Sequence, residues 1–186
     1  MKFVKLEKVK DGKYLKNYEL TYINKAGREK KYEIVSRKEL NSVEDIGRAP
    51  SGVSIIVTRG DKMLLLHEFR MGVNKKIYNL CAGMIEKDET IDECITRELL
   101  EETGLKPKII KHILPPSYSA VAISDTKTYI AFVEAEEESA DCILSENEDI
   151  EAAFYTREEV MQLLQTQEFS SRAQLAAFYF ACGKEI

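Results

Sequence analysis

The sequence predicts an α+β protein, with several strands and a few helices in irregular order. Residues 2–35 contain short alternating segments separated by turn residues, which is typical of an antiparallel sheet. Residues 53–183 contain both apolar strand-like runs and segments with helical periodicity. They do not follow the regular strand–helix alternation of a parallel α/β fold. The chain of 186 residues is long enough for one domain with a full core and a small addition.

Residues 1–48 are predicted to form a small antiparallel β-sheet. Its strands are interrupted at Asp11-Gly12 and at residues 24–27, which read NKAG. YELTYI, between these turns, and KKYEIV, after the second turn, alternate in polarity. Because such strands leave open edges and too little core for an independent domain, we expect them to pack against a second subunit in a homodimer. Residues 49–186 are predicted to form the main domain.

The main domain begins with a predicted hairpin. VSIIV (53–57) and MLLLHEF (63–69) flank the turn TRGDK, and KKIYNLCAG adds a strand that ends at Gly83. Further strands are predicted at 108–114 and 126–135. Helical periodicity is found in REEVMQLLQTQ and SRAQLAAFYFACG near the end of the chain.

Composition excludes several classes of protein. The net charge is -5 and no block of lysine or arginine stands out, so a nucleic-acid partner is not expected. No apolar run is long enough for a signal peptide or a membrane span, so we expect a cytoplasmic location and no membrane partner. The four cysteines form no C-x-x-C pair, which argues against a zinc ribbon, and each is expected to be buried.

A helix is predicted over Ile91 to Thr103. Thr90 and Glu93 have the spacing of a capping box at its start, and Gly104 suits the left-handed position that ends a helix. The last turns carry Glu98, Glu101 and Glu102, although the negative end of the helix dipole favours lysine or arginine there. These carboxylates therefore need an explanation.

Helical spacing places Glu98 and Glu102 on the same side of this helix as Ile91 and Ile95. If the isoleucines are buried, the two carboxylates also face the protein body, where they repel each other unless a cation compensates. A divalent metal ion is the simplest compensation. The alternative is a solvated acidic face with Arg97 and Lys106 as partners, since glutamate is a good helix former.

The flanking residues favour the metal. The pattern G-x5-E-x7-R-E-U-x-E-E-x-G-U, where U is a bulky aliphatic residue, resembles the signature of the Nudix hydrolases. It is met with every interval intact by Gly83, Glu89, Arg97, Glu98, Leu99, Glu101, Glu102, Gly104 and Leu105. The resemblance implies an α/β/α sandwich with a mixed sheet between helices. It also implies hydrolysis of a nucleoside diphosphate linked to another group, with Mg2+ or Mn2+ as cofactor.

The resemblance also implies roles for the motif residues. Glu98 and Glu102 would bind metal, and Glu101 would be a ligand or a proton acceptor. Arg97 would orient a neighbouring carboxylate, and the backbone carbonyl of Ala82 would be a further ligand. The chemistry agrees independently, because hard cations with oxygen ligands offset the charge of a pyrophosphate and activate a bound water.

Outside the motif the chain is similar to the ADP-ribose pyrophosphatase branch of the family, which hydrolyses nucleoside diphosphosugars. HEFR, AGMIE, the N-terminal strands and the segment SENEDIEAAFYTREEV carry this similarity. It implies a homodimer in which the N-terminal sheet takes part. It also implies that Arg70, Arg37 and Asp125 contact the substrate, that Glu148 is an extra metal ligand, and that Glu146 is a candidate base.

Some residues depart from the branch. Asn79 and Cys81 stand where it commonly has Glu and Pro in E-L-P-A-G, and Val121 and Thr126 stand where a proline and an acidic residue are common. ADP-ribose, cleaved to AMP and ribose 5-phosphate, is the first expectation. GDP-mannose or a nucleoside triphosphate is the alternative. A ligand-sensing module without turnover is disfavoured by the complete metal motif, and RNA cap removal by the acidic charge.

Overall fold

The computed structural model describes residues 1–139 and 142–183, and the chain divides into two compact units. Unit 1 consists of Met1–Ser51 and Pro116–Thr128, and unit 2 of Gly52–Pro115 and Tyr129–Ile186. The division into domains at residues 48 and 49 stays a prediction. In the described ranges, no helix is both long enough and apolar enough to cross a membrane.

Unit 1 contains the predicted N-terminal sheet. Strands β1 (Lys2–Asp11), β2 (Lys16–Ile23) and β3 (Glu29–Ser36) pair antiparallel in the order β1-β2-β3. The turn between β2 and β3 closes where the N–H of Gly27 donates to the carbonyl of Asn24, and Gly27 has φ 75°. The sheet buries a small core made of Tyr18, Leu20, Ile34 and Leu40.

Unit 2 is built on a seven-stranded sheet whose main path runs β10-β5-β4-β9-β8, with β6 paired to β5 and β7 paired to β4. The pairs of β5 with β4, β6 and β10 are antiparallel, as is β4 with β7. The ends of β8 and β9 extend into unit 1. The strands are β4 (Gly52–Arg59), β5 (Lys62–Arg70), β6 (Lys75–Asn79), β7 (Cys81–Met84), β8 (Leu105–Tyr118), β9 (Lys127–Ser139) and β10 (Ile150–Tyr155).

Helices cover both faces of this sheet. They are α1 (Ile91–Thr103), α2 (Arg157–Thr166) and α3 (Ser171–Ala181). Alternate residues of a strand point to opposite faces, so β4 and β5 contribute to two cores. One core contains Ile55 and Leu66 with Ile95 and Leu99 of α1, and the other contains Ile56 and Leu65 with residues of α2 and α3. The predicted α+β fold, with a sheet between helices and an N-terminal antiparallel sheet, is confirmed.

Four details differ from the sequence predictions. The single strand predicted over KKIYNLCAG forms two strands, β6 and β7, which pair with β5 and β4 respectively. Strand β8 runs through Pro115 and Pro116, which an edge strand tolerates because a missing N–H there breaks no inner ladder. Strand β10 was not predicted, and it pairs with β5 over its whole length. Cys81 and Cys94 are buried as expected, but Cys142 and Cys182 are exposed, so the expectation for these two is wrong.

Candidate active site

Helix α1 has the predicted ends. The side chain of Thr90 accepts a hydrogen bond from the N–H of Glu93 (3.3 Å), and the Glu93 carboxylate accepts one from the N–H of Thr90 (2.8 Å). At the other end Gly104 adopts the left-handed conformation with φ 71°, and its N–H donates to the carbonyl of Leu100. The predicted bounds of the helix are confirmed.

The motif glycine makes room for a motif carboxylate. Glu98 is buried, and its carboxyl group lies against Gly83 at the end of β7. A Cβ atom at residue 83 would stand 1.7 Å from Cδ of Glu98. Glycine is therefore required here because any side chain would displace the Glu98 carboxylate.

Arg97 binds three of the neighbouring carboxylates. Its Nε donates to Glu89 (2.7 Å), and its Nη1 donates to Glu98 (2.8 Å) and to Glu101 (3.0 Å). Its Nη2 donates to the carbonyl of Met84 (2.9 Å), which ties α1 to the end of β7. The guanidinium lowers the pKa of Glu89 to about 2. Arg97 thus offsets part of the negative charge at the end of α1.

Glu102 lies outside the reach of this arginine network. It is half-buried, and its carboxylate accepts a hydrogen bond from the N–H of Ala82 (3.1 Å). Burial raises the pKa of Glu102 to about 8, and the charges of Glu98 and Glu68 add to this rise. Burial also raises the pKa of Glu98, against the opposing effect of Arg97. The end of α1 therefore holds carboxylates whose ionisation is disfavoured by their surroundings.

A cavity of about 330 Å³ lies beside Glu102 in unit 2, and we call it the acidic cavity. It collects side chains from β5, the start of β7, the end of α1 and the segment before β10. Its lining residues are Glu68, Phe69, Arg70, Met71, Gly72, Ala82, Glu102, Asn147, Glu148, Asp149 and Ile150. Residues 70, 82, 102 and 148, predicted from four separate segments, are therefore brought together.

The remaining predicted residues are placed differently. Glu98, Glu101 and Arg97 are on α1 but do not line the acidic cavity. Glu146 is exposed in the turn before β10 and does not line it either.

The predicted substrate contacts Arg37 and Asp125 belong to unit 1. Arg37 is exposed after β3, whereas Asp125 is buried and accepts a hydrogen bond from the N–H of Gly47 (3.3 Å). Their contact with substrate stays a prediction.

Sequence reasoning missed Glu68. This residue is 5% exposed and lines the acidic cavity, where its carboxylate accepts hydrogen bonds from Nδ2 of Asn79 (2.5 Å) and from Nη1 of Arg70 (3.3 Å). Strand β5 is buried on both faces, so the alternation of polarity that marks an exposed position is absent. The available signal was a carboxylate at the end of the apolar run MLLLHEF.

The donors at the end of α1 fit a hard divalent cation. They are carboxylate oxygens of Glu98 and Glu102 and the backbone carbonyl of Ala82, a residue that lines the acidic cavity together with Glu102 and Glu148. A cation would offset the cost of ionisation that raises the pKa of Glu102. Within residues 1–139 and 142–183, no three His, Cys, Asp or Glu side chains are already gathered as a set of metal ligands.

The fold places a sheet between helices, and the site has a carboxylate-rich helix beside a cavity that also contains an arginine. Both features agree with the Nudix resemblance of the sequence. Residues 48–178 match the family model described as the NUDIX domain. The chain belongs to the Nudix family, and the resemblance based on the nine motif positions is confirmed.

Two relatives and one solved structure are similar to this chain. The chain is 28% identical over 131 residues to the ADP-ribose pyrophosphatase of Bacillus subtilis (strain 168), covering 68% of this chain and 69% of the relative. It is 33% identical over 78 residues to the NAD-capped RNA hydrolase NudC of Stutzerimonas stutzeri (strain A1501), covering 42% of this chain but only 25% of that relative. The crystal structure of an ADP compounds hydrolase is similar over 97% of this chain and 91% of that protein's chain, with a TM-score of 0.75 and 19% identity, and this likeness supports the fold.

Proposed function

We propose that this protein hydrolyses the diphosphate bond of a nucleoside diphosphosugar, with Mg2+ or Mn2+ as cofactor. ADP-ribose is the first substrate, and its products are AMP and ribose 5-phosphate. The observation that carries the proposal is the acidic cavity, in which Arg70 and the predicted metal ligands Glu102, Ala82 and Glu148 share one space. The similarity to the Bacillus ADP-ribose pyrophosphatase supports the choice of substrate.

The residues of the site suit this reaction. Glu98, Glu102 and the carbonyl of Ala82 would hold the metal, with Glu148 and Glu101 as further ligands. The bound metal supplies positive charge to the diphosphate and lowers the pKa of a water molecule. The protein must also hold an anion beside its own carboxylates, which requires cations of the protein itself.

Arg70 provides such a cation at the acidic cavity, whereas Arg97 pairs with the carboxylates of the site. Arg70 lines the acidic cavity, and a guanidinium donates two parallel hydrogen bonds to a phosphate. Arg97 holds Glu98 and Glu101 in fixed positions through bonds of 2.8 and 3.0 Å. Water attacks one phosphorus, the bond from that phosphorus to the bridging oxygen breaks, and the proton of the water passes to a base. Glu146 and Glu101 are the candidates for this base.

A second substrate class is supported by the similarity to NudC proteins. Their name states that they act on NAD-capped RNA, and the region they share with this chain is at least 30% identical over 66 or 78 residues in three cases. We therefore include dinucleotides in the test, although the net charge of -5 disfavours binding of an RNA chain. We further propose a cytoplasmic homodimer.

The test is a substrate panel with products identified by mass. It contains ADP-ribose, ADP-glucose, GDP-mannose, NADH, NAD-capped RNA, diadenosine polyphosphates and nucleoside triphosphates, each with Mg2+, with Mn2+ and with EDTA. We expect metal-dependent cleavage of ADP-ribose between its phosphates. If the enzyme cleaves only triphosphates and releases pyrophosphate, the diphosphosugar proposal is wrong. Turnover in EDTA would refute the proposed dependence on a metal ion.

A matched pair of variants links the activity to the site. Glu102→Gln removes a carboxylate of the acidic cavity, whereas Glu151→Gln removes an exposed carboxylate of β10 that is paired with Lys76 (2.6 Å). Activity should fall by orders of magnitude in the first variant and stay at the parent level in the second.

A further inference from the structure

A chain of hydrogen bonds leads from the start of α3 to the acidic cavity. The hydroxyl of Ser170 donates to Oδ1 of Asn79 (2.5 Å), and Nδ2 of Asn79 donates to Oε1 of Glu68 (2.5 Å). The other carboxylate oxygen of Glu68 accepts from Nη1 of Arg70 (3.3 Å). In this series of hydrogen bonds, each side chain is thus held by the preceding one.

The chain begins at a fixed point. Ser170 is the N-cap of α3, and its backbone N–H donates to the carbonyl of Tyr78 (3.0 Å). The N–H of Tyr78 in turn donates to the carbonyl of Glu168 (2.8 Å), so the start of α3 is bound to strand β6. Asn79, the next residue of β6, therefore presents its amide from a rigid position.

The other end of this series of hydrogen bonds, at Arg70, is exposed to solvent. The side chain of Arg70 is 56% exposed, whereas that of Glu68 is 7% exposed. A long exposed side chain loses conformational entropy when it is fixed on a ligand, and a group that is held in place beforehand loses less. A buried carboxylate that accepts from the guanidinium restricts Arg70 in this way.

We propose that Glu68 is a positioning residue that holds Arg70 for the diphosphate of the substrate, and that Asn79 holds Glu68. The identity of the ligand rests on the proposed function. Neither residue needs to contact the reacting atoms.

The identity of residue 79 matters to this pair. The amide of Asn79 lies 2.5 Å from the Glu68 carboxylate. A second carboxylate at that distance would repel the first, whereas an amide donates to it. Glu68 and Asn79 are therefore matched to each other.

The test measures binding of α,β-methylene ADP, a diphosphate that resists hydrolysis, by calorimetry in the presence of Mg2+. Glu68→Gln keeps the size of the side chain and an oxygen that accepts from Asn79. Simple electrostatics predicts tighter binding of an anion after this change, because a negative charge is removed from the cavity. Loss of Arg70 positioning predicts weaker binding, by about fivefold, as expected for loss of one partly exposed ion pair.

A double-mutant cycle with Arg70→Ala isolates the coupling. In the Arg70→Ala background, Glu68→Gln should cause no further weakening. Equal weakening with and without Arg70 would overturn the proposal, because Glu68 would then act on the ligand or the metal directly. Binding by the single Glu68→Gln variant as tight as in the parent would also overturn it.

A second pair of variants separates the effect of Glu68 on the position of Arg70 from its effect on the stability of the fold. Asn79→Asp places two carboxylates together and should lower the melting temperature, and Glu68→Gln with Asn79→Asp restores one amide–carboxylate hydrogen bond. The double variant should recover the melting temperature but still bind the probe weakly, because its carboxylate is no longer beside Arg70. Parent-like binding by the double variant would show that the pair only stabilises the fold.

The control and the parent complete the design. Glu151→Gln, outside the acidic cavity, should bind the probe as the parent does. A parent that binds the probe but hydrolyses no diphosphosugar would overturn the proposed function alone. A parent that does not bind the probe would overturn this inference as well.

Discussion

Replacing Glu102 by glutamine should make the metal-free protein more stable and much less active. The pKa of Glu102 is raised from 4.5 to about 8, chiefly by burial, so the folded protein holds a proton there at neutral pH that the unfolded chain releases. Glutamine resembles the protonated carboxyl group in size, and its oxygen still accepts from the N–H of Ala82. The variant therefore keeps the fold without the cost of protonation.

The size of the effect follows from the shift. A pKa of about 8 against 4.5 corresponds to about 3 kcal/mol at pH 7. Because Glu102 keeps some contact with solvent, we expect about 2 kcal/mol, or a melting temperature higher by about 4–8 °C for a chain of this size.

The sign of the pH dependence is fixed by the direction of the shift. Stability of the parent in EDTA should be greatest below pH 4.5 as far as Glu102 is concerned, and this contribution is lost as the pH rises towards 8. The difference between Glu102→Gln and the parent should therefore be near zero at pH 4.5 and should grow up to pH 8. Urea unfolding in EDTA across this range measures it.

A control variant, Glu159→Gln, should change the stability in the opposite direction from Glu102→Gln. Glu159 caps α2, where its carboxylate accepts from the N–H of Thr156 (2.7 Å) and from its hydroxyl (2.9 Å), and these bonds lower the pKa of Glu159. Glu159→Gln should lose stability at pH 7, because a carboxylate favoured by the fold is removed. If Glu102→Gln is no more stable than the parent at pH 8 in EDTA, the burial argument for Glu102 is wrong.

Three further results are expected. Mg2+ at about ten times its Kd should raise the free energy of unfolding of the parent by about 1.4 kcal/mol, and that of Glu102→Gln by less. A parent melting temperature that does not respond to Mg2+ would contradict the proposed ligands. Gly83→Ala should fold but lose most activity, since a Cβ there stands 1.7 Å from Cδ of Glu98; full activity would show that this carboxylate is dispensable. Light scattering should give twice the chain mass of 21.3 kDa, and a mass of one chain at micromolar concentration would exclude the homodimer.

The sequence determined helix α1 almost completely, because the signals of this helix are local. Thr90 and Glu93 mark its start and Gly104 its end through hydrogen bonds within a few residues of each other. The spacing of Ile95 and Glu98 predicted one buried side, and both residues are buried. The nine fixed positions of the motif then gave the family without any knowledge of distances.

Tertiary structure decided what these local signals could not. Strand β10 has no strong pattern of its own and exists because it pairs with β5, which is a contact between distant parts of the chain. The partners of Arg97 include Glu89, outside the helix, and their separation in space depends on how the loop before α1 folds back. Periodicity indicates a face of a helix but does not say which charges meet across it.

Glu68 shows the same limit most clearly. Its place in the apolar run MLLLHEF predicted a strand, but the role that we propose for it depends on Asn79 from another strand and on Ser170 at the start of α3. Burial cost and hydrogen bonding are properties of the assembled surroundings, so the pKa of Glu102 also could not be read from its place in the motif. The sequence by itself determined the ends of helix α1 and the family motif, and the tertiary structure decided which side chains meet, because such contacts depend on distances that only the folded chain sets.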